Sequence, residues 1–246
     1  MSDKWLFYPC QMGEYRGSIF FDHGIRKTID QIAPPQLLKV RAALKSPGPD
    51  GLSSKDEFQP LCALEDGLQA LADTHGGIYV GRVTAAGHRY FHLFTSDTGA
   101  SWSARLTDLG QQHGYPLRFV VKPDERRDGY WLNLFPSGDD WQVISDIRIL
   151  EALKQEGDNG TASRRVGHWA YFPSPGSAEQ FSQWAQGRGY SLDDVCATDS
   201  GKFRVRFFHS GRCLLSDITS HTVALRRKAN QLGGQYDGWE TPVCKA

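Results

Sequence analysis

Gln235-Tyr236-Asp237-Gly238-Trp239-Glu240-Thr241 decides how this chain is read. The stretch follows a helical pattern that stops on Gly233-Gly234, and it packs two aromatics, two carboxylates and a glycine into one short strand. Working backward from it, residues 216–232 form a helix with the stripe Ile218, Thr222, Leu225, Ala229 and Leu232, which Ser216 is placed to cap. Residues 190–197 and 202–208 read as strands joined by the turn Thr198-Asp199-Ser200-Gly201. Residues 177–188 are helical, with Ala178, Phe181 and Ala185 on one side, and residues 166–172 make a first strand. The resulting order, βαββαβ, is that of the ferredoxin-like split βαβ sandwich, with both helices on one face of an antiparallel sheet.

The N-terminal part uses the same grammar in shifted order. Leu61, Leu64, Leu68 and Leu71/Ala72 stripe a helix that runs into Gly76-Gly77-Ile78-Tyr79-Val80-Gly81-Arg82-Val83-Thr84, an echo of the passage from Leu225 to Thr241. Ser54 and Glu57 stand at capping-box spacing ahead of that helix. Strands at 88–95, 116–122 and 130–135 and helices at 100–113 and 141–154 follow. Strands at 5–9, 15–22 and 37–44 widen the first sheet. The fold class is therefore α+β, two ferredoxin-like domains, the first enlarged and related to the second by a permuted duplication or by shared turn chemistry. The polar, glycine-bearing stretch 155–163 sets the boundary, giving domains 1–157 and 158–246.

Composition narrows the function class. The chain has 246 residues, 39% of them hydrophobic, and no apolar run approaching the ~18–20 needed to span a bilayer. The start of the sequence lacks the features of a signal peptide, so a soluble cytoplasmic protein is expected. Five cysteines (Cys10, Cys62, Cys196, Cys213, Cys244), odd in number and without C-x-x-C spacing, read as free thiols. The net charge is zero; 11 Lys/Arg against 8 Asp/Glu from Asp158 onward leave the two parts at −3 and +3. That balance excludes a nucleic-acid binder acting through bulk charge.

Signatures of chemistry are sparse. There is no nucleophile elbow, P-loop, dinucleotide fingerprint or zinc-protease motif, and no cofactor is expected. His88 and His92 share a strand face without a completing ligand set, so no metal is expected. Asp22-His23 reads as an acid/base pair of an uncharacterised hydrolase or as the end of a strand. Asp139-Asp140-Trp141 reads as a helix start. Lys202, Arg204 and Arg206 alternate with apolar residues, which puts the three cations on one sheet face, beside Trp169, Tyr171 or Trp239. That face is an RNA-binding surface or a solvated face with cross-strand ion pairs.

The terminal segment Tyr236-Asp237-Gly238-Trp239-Glu240-Thr241 resembles the closing strand of the RraB family, protein regulators of the endonuclease RNase E. Glu156-Gly157-Asp158, His168-Trp169-Ala170-Tyr171-Phe172, and the stretch from Phe181 to Gly189-Tyr190 extend the resemblance over about residues 158–243. The first part is similar to a bacterial family of unknown function, numbered six-nine-five, at Pro49-Asp50-Gly51-Leu52-Ser53, Glu57, Leu64-Glu65-Asp66 and Gly81-Arg82-Val83-Thr84. The resemblance implies a non-catalytic regulator or adaptor with a protein partner such as RNase E; the basic row Lys202, Arg204 and Arg206 gives RNA as the alternative partner. Tyr236, Asp237, Trp239 and Glu240 are the candidate contacts. Their scaffold reading has Trp239 filling a seam between the domains, Gly238 marking a bulge and Asp237 capping a turn. RraB proteins are acidic, which suits docking to a basic region; the C-terminal part here carries +3.

Overall fold

A computed structural model describes residue 2 and residues 4–245, and the chain divides into two compact units, Met1–Pro136 and Ser137–Ala246. The first unit runs β1 (Trp5–Met12), β2 (Tyr15–Asp22), α1 (Ile29–Ile32), β3 (Gln36–Ala43), α2 (Phe58–Thr74), β4 (Ile78–Ala85), β5 (His88–Thr95), α3 (Gly99–His113), β6 (Leu117–Pro123) and α4 (Asp128–Trp131). Its sheet is antiparallel, in the order β1-β2-β4-β5-β3-β6. The second unit runs α5 (Gly138–Gln155), β7 (Arg164–Phe172), α6 (Pro175–Gln186), β8 (Ser191–Ala197), β9 (Phe203–Gly211), α7 (Leu215–Gln231) and β10 (Gln235–Glu240), with the sheet order β10-β7-β9-β8.

Both sheets contain one and the same connection diagram. β3-α2-β4-β5-α3-β6 lines up as second, third, first and fourth strand, and β7-α6-β8-β9-α7-β10 does so in mirror listing. Each is a βαββαβ sandwich in plain chain order, so no permutation is needed. The first is enlarged by the β1–β2 hairpin, added at the β4 edge.

The patterned helices bury what their periodicity marks. Leu61, Leu64, Leu68 and Ala72 of α2 and Trp102, Leu106 and Leu109 of α3 pack on Leu38, Val40, Ala42, Phe91 and Leu93 of the sheet. In the second unit Ala178, Phe181 and Ala185 of α6 and Leu225 and Ala229 of α7 pack on Ala170, Phe172, Val205 and Phe207. Each large side chain removed from water in this way contributes roughly 1.5–3 kcal/mol.

Four expectations are corrected. The boundary moves from 157/158 to 136/137, because α5 packs against α7 of the second unit. With α5 counted there, each unit holds as many acidic as basic residues, and the −3/+3 contrast vanishes. Residues 130–135 are not a strand: they form α4 and the turn after it, with Leu134 N donating to Tyr130 O at 3.0 Å. The aromatic content suggests a strand, but those rings build a local cluster in which Tyr130 and Phe135 pack on Phe21. Glu57 makes no capping box with Ser54. Its carboxylate accepts from Lys45 N (2.7 Å), Ser46 N (3.2 Å) and Tyr115 Oη (3.0 Å), while a capping box forms at α5 between Ser137 and Asp140. Ser216 lies inside the first turn of α7, whose N-cap is Leu214.

The echo between Tyr79-Val80-Gly81 and Tyr236-Asp237-Gly238 is a shared β-bulge. Register shifts fall at Tyr79/Gly81 and at Tyr236/Gly238, with Gly81 at φ 147° and Gly238 at φ 139°. These are the second strand of one sandwich and the fourth of the other, so the likeness belongs to the βαβ half-unit. The two glycines differ in surroundings. A Cβ on Gly81 would meet Phe20 O at 2.5 Å and Phe21 Cα at 2.9 Å, whereas one on Gly238 meets nothing within 4 Å. Gly238→Ala is therefore expected to cost about 1–3 kcal/mol from backbone strain alone, and Gly81→Ala a further ~1–3 kcal/mol from overpacking. Equal loss of Tm in the two variants would contradict this account of the bulges.

Candidate functional site

The signature strand β10 splits its residues between interior and surface. Tyr236 and Trp239 are 6% and 5% exposed and face the helices, whereas Asp237 and Glu240 are exposed. Tyr236 and Trp239 are thus withdrawn as direct contacts. Trp239 packs with Leu153 of α5, Val166 of β7 and Ile218 of α7. Its indole N–H donates to Asp146 Oδ1 at 2.9 Å. Asp146 is fully buried on α5 and also accepts from Thr222 Oγ1 (2.5 Å) and Gln142 Nε2 (3.0 Å). Burial raises its carboxyl above the ordinary aspartate value against the pull of these three donors. The seam that Trp239 fills therefore lies inside the second unit, where it fastens α5 and α7 to the sheet edge.

Tyr236 belongs to a chain of rings that composition does not mark. Its hydroxyl meets His168 Nδ1 at 2.8 Å, and His168 Nε2 meets His209 Nδ1 at 2.9 Å. His209 stacks on His221 with centroids 3.9 Å apart, and His221 Nδ1 meets Tyr190 Oη at 2.5 Å. Burial, then the neighbouring imidazoles, holds His168 well below its ordinary value and His209 down to about 4; burial also lowers His221. The alternation of β7 and β9 places His168 and Phe207 inward, but nothing in the sequence brings His221 of α7 to them. Asp158, read as part of an acidic lead-in, is likewise a buried ion-pair partner. Arg164 binds it through two nitrogens, and Cys244 N donates to it at 2.9 Å. Arg164 holds the Asp158 carboxyl far below the carboxylate range.

The opposite face of the second sheet carries Arg165, Trp169 and Tyr171 of β7 and Arg204, Arg206 and Phe208 of β9. The strict alternation places Arg204 and Arg206 together there, whereas Lys202 sits in the turn before β9. Trp239 faces the other way. Arg204 Nη2 donates to Asp194 at 3.1 Å, Arg165 pairs with Asp193 and lies 3.6 Å from the Phe208 ring centroid, and Arg206 lies over Trp169.

The residues considered for catalysis and metal binding occupy the first unit. Asp22 is fully buried and accepts from Ser2 Oγ, Ser2 N (3.1 Å), Gly24 N (2.9 Å) and Ile25 N (3.2 Å), the pattern of a carboxylate that closes a strand end. His23 packs edge-on to Phe21 and stacks on Phe135. His92 is fully buried and held neutral, its value lowered to about 3 by burial and by Lys39. His88 Nδ1 lies 2.9 Å from Ala86 O. Among the described residues no three His, Cys, Asp or Glu side chains gather as a metal site, and no helix is long and apolar enough to cross a membrane.

Comparison with known proteins agrees with this two-part architecture. The model of a family of unknown function (DUF695) matches residues 3–135, more than half of the chain, and the chain belongs to that family. Residues 144–241 match the RraB family, regulator of ribonuclease activity B, a match that begins within α5 and so spans most of the second unit. No curated protein matches the sequence. Solved structures similar to it include a protein assigned as a glycine cleavage system transcriptional repressor, 14% identical over 85% of this chain and 98% of its own, with a TM-score of 0.25. Another is an unknown protein from Galdieria sulphuraria, 9% identical over 85% of this chain and 99% of its own, with a TM-score of 0.22.

The histidine chain has a measurable consequence. Its imidazoles stay neutral in the folded protein below the ordinary 6.5, His209 down to about 4, while an unfolded chain takes up protons from 6.5 downward. The unfolded state then binds more protons, so stability present above pH 6.5 is lost as the pH falls. Tm is expected to drop between pH 7 and pH 5, and less steeply in His209→Phe. A Tm that holds or rises on acidification would contradict this.

Proposed function

We propose that this chain is a non-catalytic regulator that acts by binding a protein of the RNA-degradation machinery, an RNase E-like endonuclease being the partner that the family suggests. The observation that carries the reading is the match of residues 144–241 to regulators of ribonuclease activity, over most of a unit folded as a βαββαβ sandwich. The contact surface is centred on the exposed residues of the signature strand, Asp237 and Glu240. β10 is an edge strand, so these carboxylates stand at the rim of the sheet, next to the open face with Trp169 and Tyr171. Aromatic and charged side chains grouped in this way suit a protein interface with a polar rim. Rim carboxylates act mainly on the rate of encounter with a basic partner.

The test uses the purified chain with a purified RNase E-type endonuclease, following both binding and the rate of cleavage. Binding should slow cleavage, and Asp237→Lys with Glu240→Lys should weaken binding about tenfold or more, with unchanged Tm, by setting like charges against the partner. Absence of binding by the folded wild-type chain would refute the proposal. Trp239→Ala is a different experiment: it empties a buried site and strands Asp146, and is expected to destabilise the second unit by ~3–5 kcal/mol.

A further inference from the structure

The strands of the first sheet contain seven cations, Arg16, Lys39, Arg41, Arg82, Arg89, Arg118 and Lys122, and one acid, the closed-off Asp22. On the helix-covered face the charge is answered: Glu65 of α2 takes Arg82 at 2.6 Å and Arg89 at 3.7 Å. On the other face it is not. Lys39 and Arg41 of β3 and Arg118 and Lys122 of β6 share that face, and among the described residues none of the four has an ion pair. β5 supplies Tyr90, opposite Arg41, and His92, opposite Lys39. Lys39 Nζ stands 4.9 Å from the Tyr90 ring centroid, and Val120, between the two β6 cations, is 50% exposed.

Edge protection explains part of this pattern, since cations on an outer strand discourage sheet-to-sheet pairing. It accounts for Arg118 and Lys122 on the outer strand β6. It does not account for Lys39 and Arg41 on β3, which is paired on both sides. Nor does it explain the partly exposed Tyr90. Like charges gathered without a counter-ion oppose folding: Lys39 is lowered by burial and then by Lys122, and Lys39 and Lys122 both press on His92. His92 is fully buried on this face. A strand aromatic among unpaired cations on the open face of a βαββαβ sheet is the arrangement that stacks a base while holding the flanking phosphates. An acidic peptide would use the cations but leave the ring without a role.

We propose that this face of the first unit binds single-stranded RNA, with Tyr90 stacking on a base and Lys39, Arg41, Arg118 and Lys122 holding the phosphates. The choice of RNA over DNA rests on the ribonuclease-regulator reading of the second unit; the site itself does not. The open face of the second sheet is the weaker platform, because Asp193 and Asp194 already engage Arg165 and Arg204.

The experiment is fluorescence anisotropy of the full chain with a labelled U12 RNA, which needs no ribonuclease, so its failure and the failure of the regulator reading are separable. Four phosphate contacts give a slope of log K against log salt of about −3, an affinity loss of about 50-fold from 50 to 200 mM salt. Arg118→Ala with Lys122→Ala should halve that slope at unchanged Tm. Tyr90→Leu should weaken binding about tenfold and leave the slope alone. Arg204→Ala with Arg206→Ala, on the second sheet, should change neither. No binding at 50 mM salt, or full affinity in the Arg118/Lys122 variant, overturns the proposal. Tighter binding of dT12 overturns the assignment to RNA, and equal competition by poly-glutamate overturns nucleic acid as the occupant.

Discussion

A sheet built from two βαβ halves receives both helices on the same side, so its second face meets water unless something else is laid across it. Much of what is unusual in the two units follows from that constraint. In the first unit the second face is partly closed by two segments of loops and one-turn helices, 24–33 and 124–136, tied down by long-range hydrogen bonds. Tyr130 Oη donates to Asp22 O at 2.8 Å, Tyr8 Oη to Leu134 O at 2.9 Å, and Arg127 Nη2 to Ala33 O at 2.5 Å. Asp124 orders the turn into α4 by accepting from the amides of Asp128 and Gly129. This cover leaves Lys39, Arg41, Tyr90 and the outer strand β6 reachable from solvent. The second unit leaves its outer face to ion pairs and stacked guanidinium groups, and spends its additional helix, α5, against α7.

The sequence makes the sandwich legible because each half-unit writes two periods in succession, one near 3.6 and one near 2. The α2 stripe, the α6 stripe and the alternation of residues 203–207 all fall as the periods demand. What periodicity does not carry is the attachment of a lone amphipathic segment. α5 lies in sequence before the polar stretch 155–163, which reads as a boundary, yet that stretch is held within the second unit by the Asp158–Arg164 pair and by Cys213 N donating to Gly160 O at 2.8 Å. The 130–135 segment fails for a related reason. Tyr-Trp-Leu-Asn-Leu-Phe has the composition of a strand, but no neighbouring strand edge is offered to it, and the rings find Phe21 instead. Alternation in a bulged strand does not say which of Tyr236, Asp237, Trp239 and Glu240 face inward until the bulge at Gly238 is seen.

Charge shows the same gap between composition and arrangement. A net charge of zero, in the chain and in each unit, argues against binding through bulk field but says nothing of where the charges stand. In the first unit the strands hold seven cations against one acid, so the sheet is basic in a neutral domain. The second unit mixes the signs on its strands: Arg204 pairs with Asp194 on the neighbouring strand, and Arg165 reaches across β9 to Asp193.

The terminal Tyr-Asp-Gly-Trp-Glu strand carries the resemblance to the RraB family, and its physical role says how far the resemblance reaches. Trp239 can satisfy its indole N–H only because Asp146 is brought to it, and Asp146 can be buried only because Trp239, Thr222 and Gln142 all donate to it. Three elements that are distant in sequence, α5, α7 and β10, thus meet on one carboxylate, and Tyr236 performs a comparable service for the histidine chain. The aromatic half of the signature therefore specifies an architecture in which α5 is an integral part, and the family match begins inside that helix. The acidic half, Asp237 and Glu240, answers to no internal partner of this kind. Residues that hold the fold transfer the fold.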